Sequence, residues 1–273
     1  LGDSTEWYGP GKGFLAYRLV KKLDSSLRMR LVHKHLDGLI VVSAYLERYY
    51  KGKLPTLRLP PLVDSKDVKW QGRRDGNSGV TTFVYAGSPS STKERLDLVV
   101  SAVHGVSQRL AVALDVVGIS REEFLTIYGL HDEYRDCERT TPAGFRGRVS
   151  HSRAIQYVAS ADYSIVVRDD NRVTRAGFPT KVAESITCGT PVIANRNSDL
   201  VEVLAHERNG IVISMENLET ALEEIARRKK DIVVNREEFD YRNYRSGAER
   251  FLSEVFGTGR KSSDVLIQEV PKR

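Results

Sequence analysis

The sequence predicts an α/β fold, a parallel sheet with helices on both faces, preceded by a smaller N-terminal part. From residue 81 to residue 228, short apolar β-type runs alternate with amphipathic helical ones, at a pitch that sets parallel strands side by side with crossover helices between them. Ahead of that series, Pro55, Pro60 and Pro61 fall within residues 53–64, which denies a helix its amide donors and predicts an extended linker. Before the linker, Leu15, Leu19, Leu23, Leu27 and Leu31 recur at helical spacing.

The elements follow in order. A helix over 14–36 ends at Gly38, residues 39–42 form a short buried strand, and Ser43 caps a helix running through Tyr50. After the linker come a strand at 81–86, an amphipathic helix at 96–110 and a strand at 111–117. A helical turn at 121–124 leads to a strand at 125–128. A strand at 145–149, a helix at 153–159 and a strand at 163–167 follow. Residues 168–175 read as a polar loop, 180–188 as a helix and 191–194 as a strand. A strand at 209–213 and a helix at 218–228 complete the series.

Composition narrows the class. The 273 residues hold 42 Lys+Arg against 36 Asp+Glu, a net charge of +6, with 40% hydrophobic residues, enough for a real core. No apolar run approaches the ~18–20 residues of a membrane span, because Asp115 interrupts the best one. Two cysteines, Cys137 and Cys188, are too few for a disulfide framework or a zinc cluster, so a reducing, cytoplasmic setting is expected. The first residue is Leu rather than Met, and the expectation is a piece of a longer protein. Residues 1–64 carry eleven Lys/Arg and six Asp/Glu, most of the cations between Lys12 and Lys34. That helix is either an ordinary solvated face or a contact for an anionic membrane surface or phosphorylated acceptor. Nucleic acid is not expected, since no reader motif or stacking aromatic ladder accompanies the charge.

Sheets of this kind bind ligands at the carboxyl ends of their strands, so two loops attract attention. In Ala86-Gly87-Ser88-Pro89-Ser90-Ser91-Thr92-Lys93, Gly87 lets a ligand approach the backbone and Lys93 supplies a cation near a helix start, which suits a diphosphate. The Gly-Lys-Ser/Thr ending of a Walker loop is absent. In the second loop, Arg168 begins a polar stretch, and Gly177, Phe178 and Pro179 lead into a helix carrying Thr180, Lys181 and Glu184. Pro179 fits its first turn and Gly189 the residue beyond its end. Thr180, Lys181 and Glu184 share one face, open either to a ligand or to a Lys181–Glu184 ion pair. A carboxylate there suits two sugar hydroxyls.

The run Phe178-Pro179-Thr180-Lys181-Val182-Ala183-Glu184-Ser185-Ile186-Thr187-Cys188-Gly189-Thr190-Pro191-Val192-Ile193-Ala194 resembles the donor-binding motif of retaining glycosyltransferases of family four. Val41-Val42-Ser43, Leu59-Pro60-Pro61-Leu62-Val63-Asp64, Tyr85-Ala86-Gly87 with Lys93, and Phe145-Arg146-Gly147-Arg148-Val149 are similar to other parts of that family, in register over roughly residues 39–255.

The resemblance implies a Rossmann-like donor domain of the GT-B type at 65–240, a remnant of an acceptor domain at 1–53 and a linker at 54–64. A crossover helix at 241–257 and a flexible tail at 258–273 complete the expected organisation. It implies a metal-independent transfer, with retention, of a sugar from a UDP- or GDP-linked donor to a glycan or lipid-linked acceptor, with no cofactor. On the same basis Lys93 neutralises the leaving diphosphate and Glu184 holds the nucleotide ribose. Gly87, Ser88, Gly177, Phe178, Pro179, Thr180 and Lys181 line the donor, and the loop after Val149 lies near the base. Two departures stand out: Ala176 occupies the place of the family's first glutamate, and Ser88 that of its arginine after the phosphate-loop glycine. Arg168, Arg175 or Lys181 is expected to compensate. Asp3 and Glu6 are the polar candidates on the acceptor side, or ordinary turn and cap residues. The competing expectations are a sugar-nucleotide-binding module without turnover and a sugar-nucleotide epimerase.

Overall fold

The computed structural model describes residues 20, 23, 24, 27, 28, 30–72, 79–130, 143–197, 199–205, 208–228 and 232–257. Its main body is a six-stranded parallel sheet of β3 (Thr81–Ala86), β4 (Val112–Val117), β5 (Ala143–Phe145), β6 (Tyr163–Val166), β7 (Val192–Asn195) and β8 (Gly210–Ile213), in the order β5-β4-β3-β6-β7-β8. The chain builds outward from β3 on one side and from β6 on the other, so the strand order reverses between these two neighbours.

Side chains alternate across the sheet. Phe83, Tyr85, Tyr163, Ile165 and Ile193 face a core roofed by α2 (Leu96–Ser107) and α8 (Leu218–Arg228), through Val99, Val103, Val106, Leu222 and Ile225. On the opposite face, Val84 and Val117 meet Ile155 and Val158 of α4 (His151–Ser160), while Val166, Val192 and Ala194 meet Val182, Ala183 and Ile186 of α6 (Thr180–Cys188). Each such large apolar side chain removed from water stabilises the fold by about 1.5–3 kcal/mol. Covering both faces explains why β6 and β7 are buried at every residue.

Ahead of this body, β1 (Leu39–Val41), α1 (Ala44–Tyr50) and β2 (Thr56–Arg58) make a parallel βαβ unit. Ser43 caps α1 by accepting from Leu46 N, as expected, and its hydroxyl donates to the Ala176 carbonyl at 2.9 Å. The Ala44 amide donates to the Asp199 carboxylate at 2.9 Å, and Arg58 pairs with Asp199 and Glu202 at 3.2 Å. Three polar ties therefore fix the βαβ unit to the segments that follow β6 and β7. The last helix, α9 (Tyr241–Phe256), starts beside the main core, where Phe239 is buried, and ends against the βαβ unit. There, a Cβ on Gly38 would meet Val255 and Phe251 at 2.4 and 2.8 Å.

Several expectations need correction. Residues 125–128 are not a strand but the second half of α3 (Arg121–Tyr128). Ser120 and Glu123 form a reciprocal capping box and Gly129, at φ +67°, closes the helix, so the local start and stop signals outweigh the β propensity of Ile127 and Tyr128. The strand expected at 145–149 lies at Ala143–Phe145, because Gly147 turns the chain at φ +63°. The polar loop at 168–175 contains a one-turn helix, α5 (Arg172–Ala176), whose Val173 and Thr174 amides donate to the Asn171 side chain. The proline segment is not wholly extended linker, since β2 within it pairs with β1. The described residues of the first helix are helical up to Leu31, and Val32–His35 is a 3-10 turn.

Candidate functional site

The site grows from the carboxyl ends of β3 and β6, where the strand order reverses and ligand crevices form in such sheets. The loop after β3 begins at Gly87, whose φ of +142° is one that side chains disfavour. A Cβ there would sit 3.1 Å from the Lys181 ammonium and 3.2 Å from its Cε. On the other side, a Cβ on Gly118 would fall 2.4 Å from the Gly87 carbonyl. Glycine is thus required at 87 and 118 by close approach, and the loop is pressed between β4 and the start of α6.

Three hydrogen bonds join this loop to the one leaving β6. The Asn171 side-chain amide donates to Thr92 O at 2.9 Å, Asp169 N to Lys93 O at 3.1 Å and Arg95 N to Val167 O at 3.0 Å. Beneath that seam lies a buried charged cluster. The Lys181 ammonium donates to both oxygens of Glu94, at 2.7 and 2.8 Å, and to the Tyr85 hydroxyl at 2.9 Å. The Tyr85 hydroxyl itself donates to Glu94. Arg168, only 6% exposed, follows β6, pairs backbone to backbone with Glu94 and leaves its Nε buried without a hydrogen-bond partner.

The electrostatics follow from this packing. Burial pushes the Lys181 and Arg168 pKa values down, and Glu94 opposes the shift in both. Burial, reinforced by the Glu94 charge, pushes the Tyr85 phenol well up, so the tyrosine stays neutral and donates. Lys181 and Arg168 thus share the Glu94 carboxylate at the point where the two loops meet, and the Glu184 charge acts on Lys181 from the same helix.

One turn along α6 from Lys181, Glu184 is part-exposed and lies 3.1 Å from His151 Nε2. His151 is the first residue of α4, capped by Ser150, and its ring stands edge-on to buried Trp70. The loop after β5 is pinned by Gly118 N donating to Gly147 O at 2.9 Å, and Val149 packs into the core beside Trp70.

The structure thus brings Gly87, Lys181 and Arg168 into one cluster, with the Lys93 carbonyl in the seam above it and Glu184 on the same helix as Lys181. Other expectations are altered. Lys181 bonds Glu94, not Glu184, because α6 turns its ammonium inward beneath Gly87. Gly177 has an ordinary φ of −102°, and a Cβ there would meet only Val173 O at 3.5 Å, so the fold itself does not demand glycine at this position. Ser88 is exposed; Phe178 packs edge-on to Phe239 at 5.5 Å; Pro179 is buried as the N-cap of α6; Thr180 is exposed. Arg168 is buried rather than solvated, and Arg175 pairs with Asp170. Asp3 and Glu6 lie outside the described residues. Sequence reasoning missed Tyr85, Glu94 and His151 as members of the site; the position of Glu94 directly after Lys93 was the available signal.

With this geometry in place, comparison with known proteins is decisive about the family. Residues 80–231, more than half of the chain and the whole of the sheet, match the family described as Glycosyl transferases group 1. The chain belongs to that family. No match is found among curated proteins. Among solved structures, the family member resembles the sucrose-phosphate synthase (tll1590) from Thermosynechococcus elongatus, with a TM-score of 0.63 and 17% identity over 90% of this chain and 66% of that one. It also resembles Anabaena Alr3699/HepE in complex with UDP and glucose, with a TM-score of 0.63 and 15% identity over 85% and 66% of the two chains. The GtfA/B complex gives a TM-score of 0.59 and 14% identity over 84% and 47%. The chain therefore spans about half to two thirds of the length of these structures. The likeness shows a shared fold, the parallel sheet with helices on both faces expected of a GT-B protein. Among the described residues, no helix is long and apolar enough to cross a membrane.

Proposed function

We propose that this chain binds a nucleotide-sugar donor, UDP- or GDP-linked, at the carboxyl ends of β3 and β6, and serves a retaining, metal-independent transfer of that sugar to a glycan or lipid-linked acceptor. The observation that carries the reading is the close approach of Gly87 to the Lys181 ammonium, above the cluster that Lys181 forms with Glu94 and Arg168, on the same helix as Glu184. The HepE structure in complex with UDP and glucose supports a nucleotide ligand for a fold of this kind.

In this reading the diphosphate lies along the Gly87–Lys93 loop and the start of α6, where amide groups and a helix N-terminus favour anions. Lys93 neutralises the charge that develops as the bond between the sugar C1 and the phosphate oxygen breaks. The acceptor hydroxyl forms the new bond to C1, and its proton passes to the departing phosphate oxygen. Lys181 and Arg168 raise the local potential from beneath, Lys181 being held by Glu94. Glu184, oriented by His151, accepts hydrogen bonds from the ribose hydroxyls, and the loop through Val149 borders the base. Asp3 and Glu6 remain the acceptor-side candidates.

Calorimetric titration with UDP, GDP and ADP, followed by donor hydrolysis and transfer assays on the full-length protein, tests this. The reading requires one nucleoside diphosphate to bind and its sugar conjugate to be consumed. Binding without turnover in the full-length protein supports a sugar-nucleotide-binding module instead, and absence of binding rejects both.

A further inference from the structure

A cavity lies between α1 and the loops that leave β6 and β7. It measures about 600 Å³ and is lined by Tyr45, Arg48, Tyr49, Asp170, Arg175, Arg196 and Asn197. Volumes of several hundred Å³ accommodate a compact organic ligand. Its charges do not cancel. Asp170 is engaged by Arg175 through two hydrogen bonds, at 2.5 and 2.6 Å. Arg48 donates to the Ala44 carbonyl at 3.3 Å, and among the described residues neither Arg48 nor Arg196 makes an ion pair. Two exposed guanidinium groups without a carboxylate thus face one cavity.

The walls are built rather than incidental. Ser43, Ala44 and Arg58 tie α1 to Ala176, Asp199 and Glu202, so Tyr45, Arg48 and Tyr49 are held at a fixed height over the sheet edge. Opposite them Asn197, 2% exposed, donates to Asp169 O and Thr174 Oγ1 at 3.3 Å, while its Oδ1 has no partner. Tyrosine offers an apolar face with a polar tip, and guanidinium forks match the paired oxygens of phosphate or carboxylate. The cavity shares the β6–α5 loop with the donor cluster: Asp169 N bonds Lys93 O in the seam, and the next residue, Asp170, lines the cavity.

We propose that this cavity is a binding site for a sugar bearing a phosphate or carboxylate, with Arg48 and Arg196 holding the oxyanion and Tyr45 and Tyr49 the sugar body. Naming that ligand an acceptor rests on the donor reading above; the anion site itself does not.

The test is calorimetry on the full chain at low salt with glucose 1-phosphate, glucuronate and neutral glucose, for the parent and for the Arg48→Gln/Arg196→Gln double variant, with UDP titrated separately. The expected result is that at least one charged sugar binds the parent, neutral glucose binds at least tenfold more weakly, and the double variant loses at least tenfold in affinity for the charged ligand. The phosphate and carboxylate arms distinguish the two oxyanions. Binding of neither charged sugar, equal binding of glucose, or an unchanged affinity in a double variant with the parent's melting temperature overturns the proposal. If charged sugars bind as expected and UDP does not, the anion site stands and the donor reading fails. The reverse pattern retains the donor reading and rejects the anion site.

Discussion

The ammonium of Lys181 meets the carboxylate of Glu94 at 2.7 and 2.8 Å, joining the first turn of α6 to the loop after β3 across the point where the strand order reverses. Both side chains are nearly enclosed, at 13% and 10% exposure, so the pair is a structural tie as well as part of the site's charge. Removing one partner of such a pair leaves an uncompensated charge, at a cost of about 3–5 kcal/mol. Lys181→Met is therefore expected to lower stability by about 3 kcal/mol and the melting temperature by roughly 6–12 °C. Thermal and urea unfolding check this; a change within the error of the parent would show that the pair does not hold the loops together.

Gly87 is held at φ +142° with Lys181 against its α-carbon. Gly87→Ala adds a methyl group in a strained conformation and pushes on the ammonium, costing about 1–3 kcal/mol. Because the strain falls on the proposed diphosphate loop, nucleoside diphosphate affinity should fall along with stability. Paired melting and titration curves would show whether the two losses occur together.

Glu184 is part-exposed and contacts His151, so it adds little to the fold. A hydrogen bond to a charged group contributes about 1.5–3 kcal/mol, and its loss corresponds to roughly 10–100-fold in binding. Glu184→Ala should weaken nucleoside diphosphate binding by that factor at an unchanged melting temperature. His151→Ala should weaken it less, by releasing the carboxylate from its orientation. An unchanged nucleotide affinity in Glu184→Ala would remove the ribose contact from the account.

Acid stability depends on Asp240, the N-cap of α9. Burial pushes its carboxyl up, but hydrogen bonds from the Ser65 hydroxyl and amide and the Arg242 amide, with the Arg242 charge, outweigh burial and bring its pKa down to about 2. A folded pKa below the unfolded value of about 3.9 contributes stability that is complete above pH ~4 and is lost as pH falls toward 2. Asp240→Asn should flatten the stability profile between pH 4 and 2 relative to the parent, measured by urea unfolding at each pH.

The sheet was legible wherever one short window carried the whole signal. Residues 81–86, 163–166 and 192–194 are short runs dominated by β-branched, aromatic and other apolar residues, and Gly189 marked the end of α6 correctly. Residues 125–128 misled because Thr126, Ile127 and Tyr128 favour strands, whereas the capping box that decides the matter starts five residues earlier, at Ser120. The site was legible in its loops and not in its pairs. Gly87, Lys93, Arg168, Lys181 and Glu184 stand in recognisable segments, but Lys181 lies 87 residues from Glu94 and Glu184 lies 33 from His151, and only the folded sheet brings them together. A Lys181–Glu184 pair at helical spacing was the local expectation. The buried Glu94 prevails because it offers both oxygens where water is excluded.

The most direct measurement is a crystal structure of the chain soaked with UDP. The account predicts the diphosphate along the Gly87–Lys93 loop and the first turn of α6, with ribose oxygens within hydrogen-bond distance of Glu184. Nucleotide bound elsewhere, or a crevice between β3 and β6 that stays empty at saturating UDP, would contradict it.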